Sequence, residues 1–411
     1  MKKTLSLLLA FFILSLTVMT VFSGCSPDSA ATKPHTGNSP SKNEESIPEK
    51  SDPNSTVTPS LPVIAPSSPN PSDSAAASPS EPDDTKNNTN LTLDELKILW
   101  QHLKDNQTSE NPISKEEQQK IEDQIKEAVE ANKDPISNKD VYNVMLIGYD
   151  YKTVGGPKNS DTMILISINF KAQTFTMTSF MRDSLVQIPG VGNNRLNVAY
   201  AVSGYPLLKT TIQNNFGISI DNYVALTFKT FIDFYDAIGG MDVNITDDQI
   251  SYLNKNIPLY YQAYAPEGYD IKTAPIVKGV NHLDGVQLLT YVRNRSTGGS
   301  SDFGRTERQR ALIGDTIKKM ATMSVDELYD LMDMMLPQVT TDIPANECTS
   351  LLMKMITRNV FGYTQQSMRI PDSGTWKEAI IVLAGTNQQV LSMDYKENTR
   401  RFKKLVYGID S

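Results

Sequence analysis

Residues 141–150 read Val-Tyr-Asn-Val-Met-Leu-Ile-Gly-Tyr-Asp, an apolar run that ends in a glycine, a tyrosine and a carboxylate. Residues 162–169 and 174–179 are similarly rich in β-branched and apolar side chains, and a turn-like segment, 170–173, separates them. Short apolar runs bounded by turn residues predict buried β-strands. Asp150 would then lie just beyond the end of the first strand, and Asp161 would lie just before the start of the second.

Beyond these strands, helical and extended patterns alternate to the end of the chain. We predict helices over 197–216, 229–238, 283–289 and 306–320, with others beginning at Val325, Ala345 and Asn398. We predict strands over 223–228 and 290–292, near Ser367 and near Gln389, while Gly239-Gly240 ends a helix before 241–245. Alternating strands and helices are typical of a layered α/β domain, which we place at residues 141–410.

Two amphipathic helices are predicted before this domain, within residues 91–140. Thr92 and Glu95 form a capping-box pattern, followed by Leu93, Leu96, Leu99 or Trp100, and Leu103 on one face. Ser114 and Glu117 begin a second helix, which carries Ile121, Ile125 and Val129 at a spacing of four. We interpret the pair as a hairpin that packs on the main domain, with a partner-binding hairpin as the alternative.

The N terminus has the features of an export signal followed by a spacer. Residues 1–24 combine two lysines with an uncharged apolar run from Leu5 to Phe22, and Phe22-Ser23-Gly24-Cys25 resembles a bacterial lipobox. Cys25 is therefore a candidate lipidation site, and an uncleaved membrane anchor is the alternative. Residues 26–90 contain 12 of the 23 prolines and no aromatic residue, so we predict a disordered linker over 25–90. Both alternatives place the remainder of the chain outside the cytoplasmic membrane.

Composition excludes several classes of protein. The 411 residues carry 39 Lys and Arg against 47 Asp and Glu, a net charge of −8 that argues against duplex nucleic acid as a partner. Two cysteines and three histidines are too few for a disulfide-stapled fold, a Cys-rich zinc site or a His-based metal centre. A tethered, mostly soluble protein remains.

The charged residues that follow the predicted strands indicate a phosphate site. Asp150 and Asp161 at neighbouring strand ends are suited to Mg²⁺, which prefers carboxylate and phosphate oxygens. Arg305, Arg308 and Gln309 share one helical face. Arg293 and Arg295 project from a run that we predict to be extended. Clustered guanidinium groups favour a multiply charged phosphate, although ion pairs with Asp302 and Glu307 at the surface are the alternative.

Eight blocks of this sequence recur in the same order and spacing in one protein family. They are Gly148-Tyr-Asp150, Ser160-Asp161-Thr-Met, Arg182-Asp183, Asn194-Arg-Leu-Asn-Val-Ala-Tyr-Ala, Ile238-Gly-Gly-Met-Asp-Val, Leu283-x-Gly285-x-x-x-Leu289, Tyr291-Val-Arg293-Asn-Arg295 and Asp302-Phe-Gly-Arg305-x-x-Arg308-Gln309. The chain therefore resembles the LytR–CpsA–Psr (LCP) family, strongly over 141–320 and more loosely to about 409.

The resemblance implies an extracytoplasmic phosphotransferase that acts in cell wall biogenesis. Such a protein would attach glycopolymers linked to undecaprenyl pyrophosphate, such as wall teichoic acid or capsule, to a hydroxyl of peptidoglycan. It would be lipid-anchored on the outer face of the cell membrane of a Gram-positive-type bacterium. The implied fold is an α-β-α layered domain with a central mixed β-sheet that encloses an apolar lipid pocket.

The resemblance also implies roles for individual residues. Asp150 and Asp161 would hold Mg²⁺ on the pyrophosphate. The phosphates would be clamped by Arg182, Arg293, Arg295 and Arg305. Arg308 and Gln309 would contact the substrate nearby. Asp183 and Asp302 would orient the arginines. Where family members usually carry an arginine two residues before the second aspartate, this chain has Asn159, and Lys152 or Lys158 can supply a positive charge instead.

Two further points stay open from the sequence. The candidate residues for the lipid pocket are Val198, Leu207, Ile212, Phe228, Phe231 and Phe234, each of which ordinary core packing would also explain. The competing functions are a sensor or scaffold that binds polyprenyl pyrophosphate without transferring anything, and a pyrophosphatase acting on the lipid carrier. The identity of the glycopolymer is not encoded in any motif of the sequence.

Overall fold

A computed structural model describes residues 91–149, 160–295 and 301–410 of the chain. The predicted signal segment, the linker and the candidate residues Cys25, Asp150, Lys152, Lys158 and Asn159 lie outside the described residues. Within the described ranges, no helix combines the length and the apolar character needed to cross a membrane.

The described residues form twelve strands and ten α-helices. The strands are β1 (Val141–Tyr149), β2 (Ser160–Asn169), β3 (Thr174–Phe180), β4 (Leu185–Ile188), β5 (Gly192–Arg195), β6 (Asn222–Leu226), β7 (Met241–Ile245), β8 (Gly279–Leu283), β9 (Thr340–Thr341), β10 (Thr364–Ile370), β11 (Trp376–Leu383) and β12 (Thr386–Met393). The helices are α1 (Leu93–Asp105), α2 (Lys115–Ala131), α3 (Leu196–Phe216), α4 (Phe228–Ala237), α5 (Asp247–Tyr264), α6 (Gly285–Arg293), α7 (Ser301–Met320), α8 (Val325–Met335), α9 (Ala345–Thr357) and α10 (Tyr395–Tyr407).

A six-stranded mixed sheet in the order β10-β3-β2-β1-β6-β9 forms the centre of the fold. The three apolar runs first recognised in the sequence pair antiparallel to one another as β1, β2 and β3. Strand β6 runs parallel to β1, and the edge strand β10 runs parallel to β3. The other edge strand, β9, pairs antiparallel with β6. The predicted central mixed sheet is confirmed.

Helices cover both faces of this sheet, which gives the predicted α-β-α layering. Alternate residues of a strand point to opposite faces, so Val144 and Leu146 of β1 join one hydrophobic core while Met145 and Ile147 join another. Helices α4 to α9 contribute to the first core, which also holds Ile164 of β2. Helices α1, α2, α3 and α10, together with the β11–β12 hairpin, contribute to the second core.

The two N-terminal helices pack on the domain, as predicted. The side chain of Thr92 accepts a hydrogen bond from the Glu95 amide at 3.3 Å, and the Glu95 carboxylate accepts one from the Thr92 amide at 2.8 Å, which completes the capping box. Leu103 and Ile125 are buried in the second core against α3. The predicted apolar face of α1 is wrong at its start, because Leu93 and Trp100 are 69% and 46% exposed.

Three parts of the chain differ from the pattern-based assignment. Helix α6 continues through 290–292, where β-branched residues had suggested a strand, because Asp284 caps it and the Thr290 hydroxyl donates to the Val286 carbonyl at 2.9 Å. The strand predicted over 223–228 ends at Leu226, since Thr227 caps α4. Helix α5 was not predicted, because Pro258 lies inside it.

Gly285 is placed where no side chain fits. A Cβ atom at this position would lie 2.4 Å from the Ile232 carbonyl oxygen and 2.7 Å from the Ile232 Cα, both of them backbone atoms that cannot move aside. Gly285→Ala is therefore expected to lower the free energy of unfolding by about 1–3 kcal/mol, as other overpacked sites do. Urea denaturation measures the change.

Gly314 of α7 provides the matched control for this prediction. The nearest atom to a Cβ there is Oε1 of Gln365 at 2.7 Å, the far end of a flexible side chain. Because alanine also favours helix over glycine by up to about 1 kcal/mol, Gly314→Ala should cost little or nothing. Equal destabilisation by both variants would contradict the close packing of α4 against α6.

Candidate active site

A network of ion pairs surrounds Asp161 at the start of β2. The Oδ1 atom of Asp161 accepts hydrogen bonds from Nη1 of Arg182 and from Nη2 of Arg295, each at 3.2 Å. Arg305 reaches the same residue from α7 and donates from Nη1 to the Asp161 carbonyl oxygen at 2.6 Å. Three separate segments of the chain thus direct guanidinium groups at one aspartate, two at its carboxylate and one at its backbone carbonyl.

Asp302 and Asp183 form ion pairs with these arginines, and this placement is compatible with the orienting role expected of the two carboxylates. Asp302 receives a bidentate contact from Arg305, at 3.1 Å from Nε and 2.7 Å from Nη2. It also lies 3.2 Å from Nε of Arg295 and 3.6 Å from Nε of Arg182. Asp183 accepts from Nε of Arg182 at 3.2 Å. The ion pairs that the alternative expected with Asp302 are therefore present, and they run from the buried Arg305 side chain, 3% exposed, to the Arg295 side chain, 41% exposed.

The electrostatics of this network keep its carboxylates ionised. Burial alone would raise the pKa of Asp161, but the positive charges of Arg305, Arg295 and Arg182 outweigh it, so this pKa lies below its ordinary value. Burial would also raise the pKa of Asp302, and Arg305 contributes most to lowering it instead. Burial and the neighbouring Arg305 and Arg182 lower the pKa of Arg295. The site therefore carries an excess of positive charge that a bound anion would relieve.

The network opens into a polar cleft whose walls include aromatic side chains. Arg293, the last residue of α6, packs its guanidinium 4.1 Å from the centre of the Phe228 ring and donates to the Tyr264 hydroxyl at 3.2 Å. Gln309 donates to the Thr162 hydroxyl at 3.0 Å. The cleft is lined by Gly148, Asp161, Thr162, Phe228, Tyr252, Tyr260, Arg293, Arg295, Arg305 and Gln309.

An apolar cavity lies directly behind the cleft, between the sheet and helices α4, α6 and α7. The space between its walls is about 690 Å³ when the part open to solvent is included, and about 80 Å³ of it is accessible to a water-sized molecule. Five residues line both the cavity and the cleft: Gly148, Thr162, Phe228, Arg293 and Gln309. A ligand with a charged head and an apolar tail can therefore span the two without a break.

The predicted lining of this cavity is half right. Phe228, Phe231 and Phe234 of α4 line it. Val198, Leu207 and Ile212 do not, because α3 lies on the opposite face of the sheet, where all three contribute to the second core.

Arg308, which was predicted to bind substrate, contacts the backbone that follows α6. Its Nη2 atom donates to the carbonyl oxygen of Asn294, and the residue does not line the cleft. Asn294 follows the end of α6 and precedes Arg295. Arg308 therefore contacts the backbone between Arg293 and Arg295, and its role in binding substrate stays a prediction.

Sequence reasoning missed a set of side chains behind Arg182. Arg195, 5% exposed, lies with its Nη1 atom 3.5 Å from Oδ1 of Asp183. Its Nη2 atom contacts Nδ1 of His102 on α1 at 3.0 Å. The N-terminal helix therefore reaches the site through Arg195 and Asp183. Arg195 belongs to the Asn-Arg-Leu-Asn block of the sequence. That block was the only feature of the sequence that could have identified Arg195 as a site residue.

The donor set has the right chemistry for part of a magnesium site. Both guanidinium bonds to the Asp161 side chain fall on Oδ1, so Oδ2 has no hydrogen bond from the described residues. The second predicted ligand, Asp150, lies outside the described residues. Among the residues that the structure does describe, no group of three or more His, Cys, Asp or Glu side chains could hold a metal ion. Any ion here would depend on phosphate and water oxygens as well.

The depressed pKa of Asp302 predicts how its contribution to stability depends on pH. A carboxylate whose folded-state pKa lies below the unfolded value stabilises the fold above the unfolded pKa of about 3.8, and loses that effect as the pH falls through the folded value. The difference in unfolding free energy between wild type and Asp302→Asn should therefore stay constant from about pH 5 to 8 and shrink below about pH 4. Urea denaturation across this range measures it, and a difference that titrates near neutral pH would contradict the assignment.

The fold and the site define a class of protein: a layered α/β domain with an arginine-rich anion cleft that opens into an apolar cavity. The sequence profile of the LytR_cpsA_psr family matches residues 100–399. The chain belongs to this family.

Curated relatives are similar over much of the chain. Biofilm regulatory protein A of Streptococcus mutans is 28% identical over 66% of this chain and 66% of its own length. The polyisoprenyl-teichoic acid–peptidoglycan teichoic acid transferase TagU of Oceanobacillus iheyensis is 32% identical over 52% of this chain and 62% of its own length. TagU of Enterococcus faecalis is 30% identical over 59% of this chain and 76% of its own length. The chain thus spans roughly two thirds of the length of the relatives it matches.

Solved structures share the fold. A protein from Streptococcus agalactiae superimposes with a TM-score of 0.54 at 24% identity, over 68% of this chain and 90% of that protein. A structure described as TagT bound to LIIa-WTA gives a TM-score of 0.51 at 22% identity, over 67% of this chain and 94% of that protein. These matches agree with the central mixed sheet and the layered architecture described above.

Proposed function

We propose that this protein transfers a glycopolymer from a polyprenyl pyrophosphate carrier to peptidoglycan outside the cell membrane. The observation that carries the proposal is the continuity of the arginine cleft with the apolar cavity, through the five residues that line both. A polyprenyl pyrophosphate has this shape and polarity. Two relatives are named as transferases of teichoic acid to peptidoglycan, which supports the same reaction class.

The residues of the cleft suit phosphoryl transfer, which depends on charge neutralisation and positioning. Arg295 and Arg305 line the cleft and would neutralise the pyrophosphate oxygens, and Arg293 bridges the cleft and the cavity. Arg182 would add positive charge from beside the cleft, where it pairs with Asp161 and Asp302. A peptidoglycan hydroxyl attacks the polymer-linked phosphorus, and the bond to the lipid phosphate breaks. The lipid phosphate leaves with its tail still in the cavity. Mg²⁺ held by Asp161 and Asp150 would neutralise further charge on the pyrophosphate.

Several finer features belong to the same proposal. Lipid anchorage through Cys25 would hold the site near the membrane that carries the lipid substrate, and it stays a prediction because Cys25 lies outside the described residues. The Mg²⁺ requirement also stays a prediction, as do the roles of Lys152 and Asn159. Wall teichoic acid, capsule or a related polymer would fit the proposal equally well, since the arginines of the cleft would contact the phosphates that all of these substrates share.

One experiment separates this function from its competitors. The protein is incubated with a lipid-linked polymer analogue, with and without oligomeric peptidoglycan. A polymer–peptidoglycan product formed only in the presence of acceptor supports the transferase. Phosphate release that does not depend on the acceptor would indicate a pyrophosphatase, and an unchanged ligand that is nevertheless bound would indicate a sensor or scaffold.

A further inference from the structure

A second cluster of aromatic and cationic side chains lies beside the active site but outside the cleft. Phe303 of α7 contacts Arg369 and Trp376. The Arg369 guanidinium lies 4.3 Å from the centre of the Phe303 ring, and the Trp376 ring centre lies 4.5 Å from it at an interplanar angle of 32°. All three side chains are partly exposed. We refer to Phe303, Trp376 and Arg369 as the Phe303 platform.

The platform and the residue beneath it carry two guanidinium groups, on Arg369 and Arg310, that form no ion pair with the described carboxylates. Arg310, only 8% exposed, lies beneath it and donates from Nη1 to the Ser179 hydroxyl at 2.6 Å. Ser179 is the register partner of Arg369 in the parallel β3–β10 pair, so both side chains lie on the same face of the sheet. Within the described residues, neither Arg310 nor Arg369 has a carboxylate within ion-pair distance.

Of the two carboxylates near the platform, one is paired with another arginine and the other is exposed on α7. Asp372, next to the platform in sequence, accepts from Nη1 of Arg401 at 2.7 Å. Glu307 is exposed on α7, one turn before Arg310. Burial lowers the pKa of Arg310 to about 10, and Arg369 acts in the same direction, while the negative charges of Glu307 and Asp372 oppose the shift without reversing it. A buried guanidinium without an ion pair is costly, and an anionic group bound at the platform would reduce that cost.

The position of the platform points to its role. Phe303 follows Asp302, the carboxylate that holds Arg182, Arg295 and Arg305. The platform side of α7 carries residues 303, 307 and 310, at helical spacings of four and three. A different side of the helix, with Gln309, Leu312 and Ile313, lines the apolar cavity. The helix therefore separates the lipid side of the site from the platform side.

We propose that the Phe303 platform, with Arg310 beneath it, binds the acceptor: a glycan strand of peptidoglycan whose stem peptides carry carboxylates. This inference rests on the proposed function, which requires an acceptor hydroxyl to approach the phosphate from outside the lipid cavity. The apolar C–H face of a sugar ring packs on an aromatic ring and buries apolar area there. A stem-peptide carboxylate accepts charge-assisted hydrogen bonds from guanidinium groups.

The chain provides a direct optical test, because Trp100 and Trp376 are its two tryptophans. Trp100→Phe leaves Trp376 as the single emitter, and Trp376→Phe leaves Trp100, which lies on α1 away from the platform. Titration with soluble, uncrosslinked peptidoglycan oligomers should change the emission of Trp376 saturably and leave that of Trp100 constant. A saturable change of Trp100 alone, or of neither tryptophan, would overturn the proposal.

Substitutions test the platform by a second route. Trp376→Ala and Arg369→Gln should each weaken binding of the peptidoglycan oligomers by roughly tenfold or more, a loss of about 1.4 kcal/mol. Trp376→Phe should recover most of that loss, because an aromatic face remains. Arg400→Gln is the matched control, since Arg400 is paired with Glu397 and Asp410 on α10 and at the C-terminal end. Thermal unfolding and polyprenyl pyrophosphate binding, both expected near wild type, establish that the variants are folded.

Kinetics separate a failure of this inference from a failure of the proposed function. If wild type transfers polymer, the platform variants should raise the acceptor KM and keep kcat at saturating acceptor. An unchanged acceptor KM would overturn the platform and leave the transferase intact. If wild type transfers nothing yet platform variants still lose glycan binding, the proposed function fails while the binding site stands.

Discussion

Replacing Arg305 with alanine is expected to lower kcat for transfer to peptidoglycan by about 100- to 1000-fold, or about 3–4 kcal/mol. Arg305 is the arginine most fully integrated into the site, because it binds the Asp161 carbonyl and both oxygens of Asp302 while it lines the cleft. Its loss removes a positive charge from the transferring phosphate and frees Asp302. Steady-state transfer from a lipid-linked polymer analogue measures the effect.

Two further variants test whether this loss is specific to the guanidinium group of Arg305. Arg305→Lys keeps the charge but loses the planar, bidentate fork that spans Asp302 and the Asp161 carbonyl, so most of the loss should remain. Arg401→Ala removes a guanidinium that forms ion pairs with Asp372 and Glu397 outside the cleft, and it should leave kcat unchanged. If Arg305→Ala retains more than about a tenth of wild-type kcat, the cleft is not where the phosphate reacts.

The sequence predicted the central sheet well because its strands are short, apolar and bounded by turns. In β1 and β2 nearly every residue is buried, and only buried strands in a layered fold produce such continuous apolar runs. By contrast, the second half of helix α6 was wrongly predicted to be a strand, because its local sequence favours strands. Thr290, Tyr291 and Val292 favour strands locally, but all three are buried within a capped helix. Tertiary packing outweighed local propensity there.

The candidate site was predictable where charged residues are adjacent in sequence, and unpredictable where the fold brings distant residues together. Arg293, Arg295, Arg305 and Asp302 lie within a short stretch, and the structure gathers all four around the cleft or its ion network. Arg195 and His102 are 93 residues apart and meet only because α1 packs on α3. Their contact had no signature that spacing could reveal.

The lining of the cavity shows a further limit to what the spacing of apolar residues in the sequence can predict. Apolar spacing indicated that α3 and α4 each have a buried face, but it does not tell on which side of the sheet a helix packs. The chirality and length of the connections decide that. Consequently Phe231 and Leu207 looked equivalent as candidates, although one lines the cavity and the other packs in the second core.

That difference supports a paired experiment on lipid binding. Phe231→Asp places a carboxylate in the cavity and removes an aromatic surface from it. Since burial of a phenylalanine side chain is worth about 1.5–3 kcal/mol and an unpaired buried charge costs more, polyprenyl pyrophosphate should bind roughly 100-fold more weakly or worse. Binding of inorganic pyrophosphate, which needs only the arginine cleft, should stay within a few-fold of wild type. Direct titration with both ligands gives the two values.

Leu207→Asp is the matched control, because Leu207 is also partly buried and belongs to a helix but lies across the sheet from the cavity. Both substitutions should reduce stability, and thermal unfolding measures that reduction so that the two variants can be compared. Only Phe231→Asp should weaken binding of the polyprenyl ligand while the affinity for inorganic pyrophosphate stays close to that of wild type. A parallel loss of both ligands in Phe231→Asp would mean that the variant had disturbed the cleft itself. An unchanged polyprenyl affinity would mean that the tail of the ligand lies elsewhere, and the continuity of cleft and cavity would then have no role in binding the lipid.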